Sequence, residues 1–379
     1  MRRIAIAGAG LAGLTAAQEL RRLGHDGELV MVGAEPHRPY RRPPLSKEYL
    51  LGRGDLTLHG ADEIGATWLL GHPAIGLDLS ARSLRRGRLP PVAFDGLVIA
   101  TGVRASRLPG AGKLPGMVTL RGLNDANALR AALTTNPRVV VAGAGFIGSE
   151  IAATLRGLNL PVTLVEREHV PLRRPLGERI GAIVAELHRA HGVDLRLGRR
   201  IVAVSGTRKV EQVRLDDGTV LPADLLVVAL GAEPQVDWLH GSGLRLDAGV
   251  VVNRAGLAAP SVAAAGDVAR WPSPLLDGRL ISVQHYSNAV DQGAHAARAL
   301  LGVADTFDPV PSFWCHLYGH RLQSIGFTGA DYRLHLTASE PDGRFLAEYH
   351  RNGHVVGAVT AGFVRHLPRY RQLIAKEDA

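Results

Sequence analysis

The chain has 379 residues and a formal net charge of +9, with 46% hydrophobic and 21% charged residues. That is the balance of a globular protein of two or three domains at roughly 100–200 residues each, with cores large enough to need no disulfide or metal staple. Its one cysteine, Cys315, excludes an internal disulfide, a Cys-x-x-Cys redox pair, a four-cysteine zinc site and a self-held iron–sulfur cluster.

Ile4 to Ala7 is a short apolar run, followed by the turn Gly8-Ala9-Gly10-Leu11-Ala12-Gly13, helix formers from Leu14 to Leu23, and the apolar stretch Glu28 to Val32. This order predicts a βαβ unit. Leu97 to Ala100 reads as a buried strand ending in Thr101-Gly102. The opening pattern then returns 135 residues on: strand Arg138 to Ala142, turn Gly143-Ala144-Gly145-Phe146-Ile147-Gly148, helix Ser149 to Leu158, strand Val162 to Val165. Leu225 to Leu230 runs into Gly231, and Val262 to Ala265 into Gly266-Asp267. From about Pro311 aromatics cluster (Phe313, Trp314, Tyr318) and the alternation predicts antiparallel strands, closed by a short basic helix from about Tyr370. The expected fold class is α/β: two Rossmann-like dinucleotide-binding domains, 1–110 with 236–310 and 111–235, and a small α+β C-terminal domain, 311–379.

A G-x-G-x-x-G turn between strand and helix has a physical logic. The first glycine makes the tight turn, the second lets a pyrophosphate approach the backbone, and the third lets helix and strand pack closely. The helix N-terminus then offers free N–H groups and partial positive charge to the phosphates. Each turn is followed by an acid: Glu35 lies 22 residues past Gly13 and Glu166 lies 18 past Gly148, near the roughly 20-residue offset of a ribose-binding carboxylate. Two such turns imply two dinucleotides, or one dinucleotide and one decoy. Two dinucleotides on one chain point to hydride traffic between a nicotinamide and a flavin, FAD. Glu166 favours NADH over NADPH, because a carboxylate accepts from a 2′-hydroxyl and repels a 2′-phosphate; the adjacent Arg167 works against that preference.

The basic excess, 44 residues against 35 acidic, is mostly arginine. It reads either as codon bias or as a surface for an acidic partner, since net charge bears on association rather than fold. Nucleic acid is not expected, because the arginines are scattered and not interleaved with aromatics. No uninterrupted apolar run approaches the roughly 20 residues that span a bilayer, and no signal peptide is visible. The expected location is therefore the cytoplasm, with no membrane and no metal, and the chain a monomer or homodimer.

Tyr40-Arg41-Arg42-Pro43-Pro44-Leu45-Ser46-Lys47-Glu48-Tyr49-Leu50 closely resembles the flavin loop of the FAD-dependent ferredoxin and rubredoxin reductases, putidaredoxin reductase-like members of the pyridine nucleotide–disulfide reductase fold. Ala100-Thr101-Gly102, Gly148-Ser149-Glu150, Ala265-Gly266-Asp267, Asn288-Ala289 with Gln292-Gly293, and Phe313-Trp314 agree with it in order. The resemblance implies that Gly8, Gly10, Leu11 and Ala12 hold the FAD pyrophosphate. Glu35 would meet the adenosine ribose, with Ala34 at a position that often carries Asp. Arg42 would cover the adenine, and Ala74 would touch it through its backbone. Thr101, Gly102 and Arg121 would line the flavin channel, and Asp267, beside Gly266, would accept from the ribityl chain. Gln284, His285, Tyr286 and Trp314 would border the isoalloxazine. Gly143, Gly145, Ile147 and Gly148 would cradle NADH, with Glu166, Arg173 and Gly231 at the same nucleotide. Lys47, Glu150 and Trp314 would act at the reacting centre. A lysine ammonium beside the ring favours the negative charge that arrives with hydride, and in the family it pairs with the glutamate matched by Glu150.

The same resemblance implies an acidic iron–sulfur partner such as a ferredoxin, serving an oxygenase or cytochrome P450. Departures fall near the ring. Cys315-His316-Leu317 stands where Ser-Asp-Gln is usual after Phe-Trp, and Gln284 stands where glutamate is usual. The altered Trp314–Leu317 segment motivates a second reading, a diverged NAD(P)H oxidase or small-molecule flavin oxidoreductase, and a third, non-catalytic reading is an NADH-gated binding protein of apoptosis-inducing-factor type. Cys315 reads as a small buried hydrophobe. His285 and His316 read equally as core residues or as neighbours of the flavin.

Overall fold

The computed structural model describes every residue except 111, 113, 304, 305 and 377–379. Its α-helices are α1 (Leu11–Arg22), α2 (Leu123–Leu133), α3 (Phe146–Gly157), α4 (Arg173–Ala190), α5 (Tyr286–Leu300) and α6 (Leu367–Lys376). Strand Arg3–Ala7 is central in a six-stranded sheet, hydrogen-bonded in parallel to Glu28–Val32 on one side and Gly96–Ile99 on the other, with Thr67–Leu69, Val262–Ala264 and Leu257–Ala259 outside them. Side chains of a strand alternate between faces, and here both faces are covered, which is why the run is apolar throughout. Ile4 and Ile6 pack with Leu14 and Leu20 of α1 and Ala296 and Leu300 of α5. Ala5 and Ala7 face Val30, Leu97, Leu239 and Trp271 on the opposite side.

The second half repeats this plan. Val139–Ala142 lies between Val162–Glu166 and Leu225–Val228, both parallel to it, in a five-stranded sheet completed by Asp194–Leu197 and Met117–Thr119. Val139 and Val141 face α2 and α3, and Val140 and Ala142 face the other way onto Val213 and Leu215. The duplication extends further than the apolar runs predict. Each half inserts a three-stranded antiparallel meander before its returning strand, 76–78 with 83–86 and 89–93 in the first and 201–205 with 212–215 and 220–222 in the second. The chain passes between the halves through an antiparallel ribbon, Val103–Ala105 against Ala232–Pro234.

Residues from Ser312 onward form the expected antiparallel sheet, in the order 312–317, 320–326, 354–361, 345–351, 333–339. One face takes Tyr370 and Ile374 of α6 onto Ile325, Leu346 and Ala358. The other takes Leu176, Ile180 and Val184 of α4 onto Leu317, Phe345 and Tyr349, and the Tyr349 hydroxyl donates to the Leu176 carbonyl at 2.8 Å. This sheet is thus anchored on the second half. Three helices begin earlier than the sequence suggests. α1 and α3 start at Leu11 and Phe146 because the last glycine of each turn is already helical, and α6 starts at Leu367 because Pro368 is tolerated in a first turn.

Candidate functional site

Both glycine turns sit at the carboxyl end of the strand where sheet order reverses, the usual crevice of an open α/β sheet. Gly8 has φ +121°, and a Cβ there would stand 2.0 Å from the Ala100 carbonyl oxygen; one on Gly13 would stand 2.0 Å from the Gly8 oxygen. In the second turn the matching distances are 2.5 Å from Gly143 to the Ala229 oxygen and 1.9 Å from Gly148 to the Gly143 oxygen. Packing alone therefore requires the first and third glycines. Gly10 and Gly145 are different: a Cβ on either meets nothing within 4 Å. They open α1 and α3 without a side-chain cap, so first-turn N–H groups face that open space. Open room over uncapped N–H groups fits a pyrophosphate lying on backbone.

The two acids stand at different positions. Gly8 N–H donates to the Val32 carbonyl and Gly143 N–H to the Val165 carbonyl, both at 2.8 Å. In this register Glu166 matches Gly33, and Glu35 matches Glu168. Glu166 turns back into its own cradle, accepting from Ala144 N–H at 2.7 Å and Glu168 N–H at 3.0 Å. Glu35 accepts from the Arg42 guanidinium and the Tyr40 hydroxyl. Burial pushes its carboxyl up, but Arg42 and Tyr40 outweigh it and hold it below the usual range. Arg42 also donates to the Arg121 carbonyl at 2.9 Å. Ala34 is exposed beside this group. Ala74 lies in the loop before the first meander, packed on the cluster that contains Ala5 and Ala7.

Lys47 and Glu150 meet across 103 residues of sequence, Nζ to the carboxylate oxygens at 2.7 and 2.8 Å, with side chains 13% and 4% exposed. The Pro43–Ser46 turn delivers Lys47 and the Ser46 hydroxyl, which donates to Glu150 at 2.6 Å. From the C-terminal sheet, the backbone N–H of His316 donates to the same carboxylate at 2.9 Å. Glu150 is therefore the point where first half, second half and C-terminal sheet converge. The Ser46 and His316 contacts were not predicted. Ser46 lies inside the loop that carries the resemblance, but the His316 bond uses backbone and leaves no trace in side-chain identity.

A second ion pair joins Arg121 to Asp267 at 2.8 Å. Gly266 N–H donates to the buried Gln292 at 2.8 Å, and Thr101 and Gln235 exchange two hydrogen bonds at 2.9 and 3.0 Å. Around the start of α5, His285 packs on Phe313 (centroids 4.9 Å apart) and Tyr286 on Trp314 (5.8 Å), with Gln284 exposed beside them. Burial pushes His285 down to about 4, and its Nδ1 is buried without a partner. Cys315 is 1% exposed, and burial raises its thiol. At the second cradle Ile147 is 45% exposed, Gly231 is open with φ +96°, and Arg173 pairs with Glu168 at 3.3 Å. Among the described residues no group of three or more His, Cys, Asp or Glu side chains could hold a metal ion, and no helix is long and apolar enough to cross a membrane.

Residues 2–293 match the pyridine nucleotide-disulphide oxidoreductase family. The chain is 38% identical over 384 residues to the ferredoxin reductase component of chlorobenzene dioxygenase from Cupriavidus sp. (strain PS12), covering 99% of this chain and 93% of that protein. It is 38% identical over 331 residues to the ferredoxin–NAD(+) reductase subunit of the benzene 1,2-dioxygenase system of Pseudomonas putida, covering 85% and 80%. Among solved structures, the covalent putidaredoxin reductase–putidaredoxin complex matches with a TM-score of 0.93 at 31% identity, over 98% of this chain and 93% of that one.

Proposed function

We propose that this chain, which belongs to the pyridine nucleotide-disulphide oxidoreductase family, is a flavoprotein reductase that takes electrons from NADH and passes them through FAD to a small acidic iron–sulfur protein of ferredoxin type. That protein in turn serves an oxygenase or cytochrome P450. The observation that carries the reading is the pair of cradles whose middle glycines, Gly10 and Gly145, face open space while their neighbours are fixed by packing. Relatives named as ferredoxin reductase components support the acceptor class.

In this reading residues 1–110 and 236–310 hold FAD, 111–235 hold NADH, and 311–379 complete the site. Gly8, Gly10, Leu11 and Ala12 take the FAD pyrophosphate; Ala34, Glu35, Arg42 and Ala74 take the adenosine. Thr101, Gly102, Arg121, Gly266 and Asp267 line the path to the ring, and Gln284, His285, Tyr286 and Trp314 border it. Bound there, FAD supplies the conversion between two-electron hydride chemistry and single-electron delivery. Gly143, Gly145, Ile147, Gly148, Arg173 and Gly231 hold NADH, and Glu166 favours it over NADPH by accepting from the 2′-hydroxyl. Lys47 contributes a fixed ammonium, held by Glu150, that stabilises negative charge arriving beside it in a site of low dielectric. His285, neutral above its lowered pKa, excludes water together with Phe313.

The +9 charge supports steering of an acidic partner in the cytoplasm. The test is NADH-driven reduction of a [2Fe–2S] ferredoxin by the FAD-loaded protein, titrated with salt. Reduction that falls as ionic strength rises is expected. Peroxide formation from oxygen with no stimulation by any ferredoxin, or a rate indifferent to salt, refutes the acidic-partner reading.

A further inference from the structure

Glu168 stands two residues beyond Glu166, at the rim of the second cradle. Both oxygens of Glu166 are engaged by backbone N–H groups, so Glu166 is not the residue that meets the surrounding guanidiniums. Glu168 is. It lies 3.1 Å from Arg174, 3.3 Å from Arg173 and 3.8 Å from Arg167. The carboxylate is 22% exposed, and the three arginines are 67%, 39% and 47% exposed. Their placement is fixed by the cradle itself. Leu172 N–H donates to the carbonyl of Ala144, inside the glycine turn, at 2.9 Å, and α4 begins at Arg173. Arg199, whose N–H reaches the Glu166 carbonyl, is separately paired with Asp217 at 2.7 Å. Arg173 also lies 4.0 Å from the exposed Glu178, so three guanidiniums face two carboxylates and carry one positive charge more than these neutralise. A guanidinium fork binds phosphate as readily as carboxylate, often through two parallel hydrogen bonds.

We propose that Glu168 closes a latent site for a phosphate dianion: by holding Arg167, Arg173 and Arg174 at the rim of the second cradle, it keeps them from the 2′-phosphate of NADPH and so sets the preference for NADH. The inference rests on the reading of the second cradle as the NADH site and adds to it the residue that determines specificity. Glu166 alone repels the extra phosphate; Glu168 also withholds the cations that would attract it.

The experiment compares the FAD-loaded full chain with its Glu168→Gln variant. Inhibition constants of 2′,5′-ADP and of ADP against NADH are read together with kcat/KM for NADH and NADPH. Glu168→Gln is expected to tighten 2′,5′-ADP by about tenfold while ADP shifts by less than about twofold, and added salt should erase the gain. Combining Glu168→Gln with Arg174→Gln should take back part of it. Equal shifts for both inhibitors, or none, overturn the proposal. Glu168→Ser gives the same comparison if the amide variant does not fold. An unaltered protein that already prefers NADPH refutes the NADH reading itself, an outcome distinct from an NADH-preferring protein that Glu168→Gln leaves unmoved.

Discussion

Replacing Lys47 by Met removes the ammonium that lies 2.7 and 2.8 Å from the Glu150 carboxylate, a group only 4% exposed in the unaltered protein. Breaking a buried pair by deleting one partner costs about 3–5 kcal/mol, because the surviving charge is left in a low-dielectric interior. Here Glu150 keeps two neutral donors, Ser46 Oγ at 2.6 Å and His316 N–H at 2.9 Å. The loss should fall at the lower end, about 3 kcal/mol. Urea unfolding at saturating FAD, followed by far-ultraviolet circular dichroism, measures it. The double variant Lys47→Met/Glu150→Gln is the decisive control. Its amide oxygen can still accept from His316 N–H while its amide N–H donates to Ser46 Oγ, and it carries no charge, so it should recover more than half of the loss. A single-variant cost below about 1 kcal/mol, or a double variant that loses the full sum of the singles, refutes the claim that an uncompensated charge is what the pair prevents.

The two kinds of cradle glycine separate cleanly in other variants. A Cβ at Gly10 or Gly145 meets nothing within 4 Å, so Gly10→Val and Gly145→Val should both fold; the first should be isolated colourless and the second yellow but without NADH-driven reduction of its flavin. Gly13→Ala should instead destabilise by on the order of 3 kcal/mol, since its Cβ falls 2.0 Å from the Gly8 oxygen, and a stable, colourless Gly13→Ala protein would contradict the packing argument. Acid should weaken the contact of α1 with α5. Hydrogen bonds from Arg22, opposed by burial and joined by Arg298, lower Glu19 from 4.5 to about 2. A depressed carboxylate stabilises the fold above its unfolded pKa and loses that contribution as pH falls towards the folded value. Discounted for the exposed arginines, the loss is on the order of 1–2 kcal/mol. Glu19→Gln should flatten stability against pH in that window, and an unchanged slope would remove Glu19 as its source.

Much of the fold was legible because its determinants are local. Strand Ile4 to Ala7 reads as buried because every residue is apolar, and it is so because two faces are covered. The glycines at 8, 13, 143 and 148 are required by carbonyls only a few residues away or at the end of an adjacent strand, so backbone sterics write them into the sequence as a spacing. The meanders were not legible, since their half-exposed strands carry charged and small residues that mimic loop. Nor did spacing from the glycine turns reveal that Glu35 and Glu166 are out of register; only the hydrogen bonds of Gly8 to Val32 and Gly143 to Val165 align the two halves.

What residue patterns along the chain could not decide are the meetings of distant side chains, of which only the Lys47–Glu150 pair was implied, and that by the family resemblance. Lys47 reaches Glu150 over 103 residues and Arg121 reaches Asp267 over 146, and the His316 backbone joins the first pair whatever side chain that position carries. A turn's shape follows from the chain's own excluded volume, whereas a charge pair exists only where strand order, register and helix docking bring two remote segments within hydrogen-bond reach. The residue types could be read along the chain, but which arginine faces which carboxylate was settled by packing.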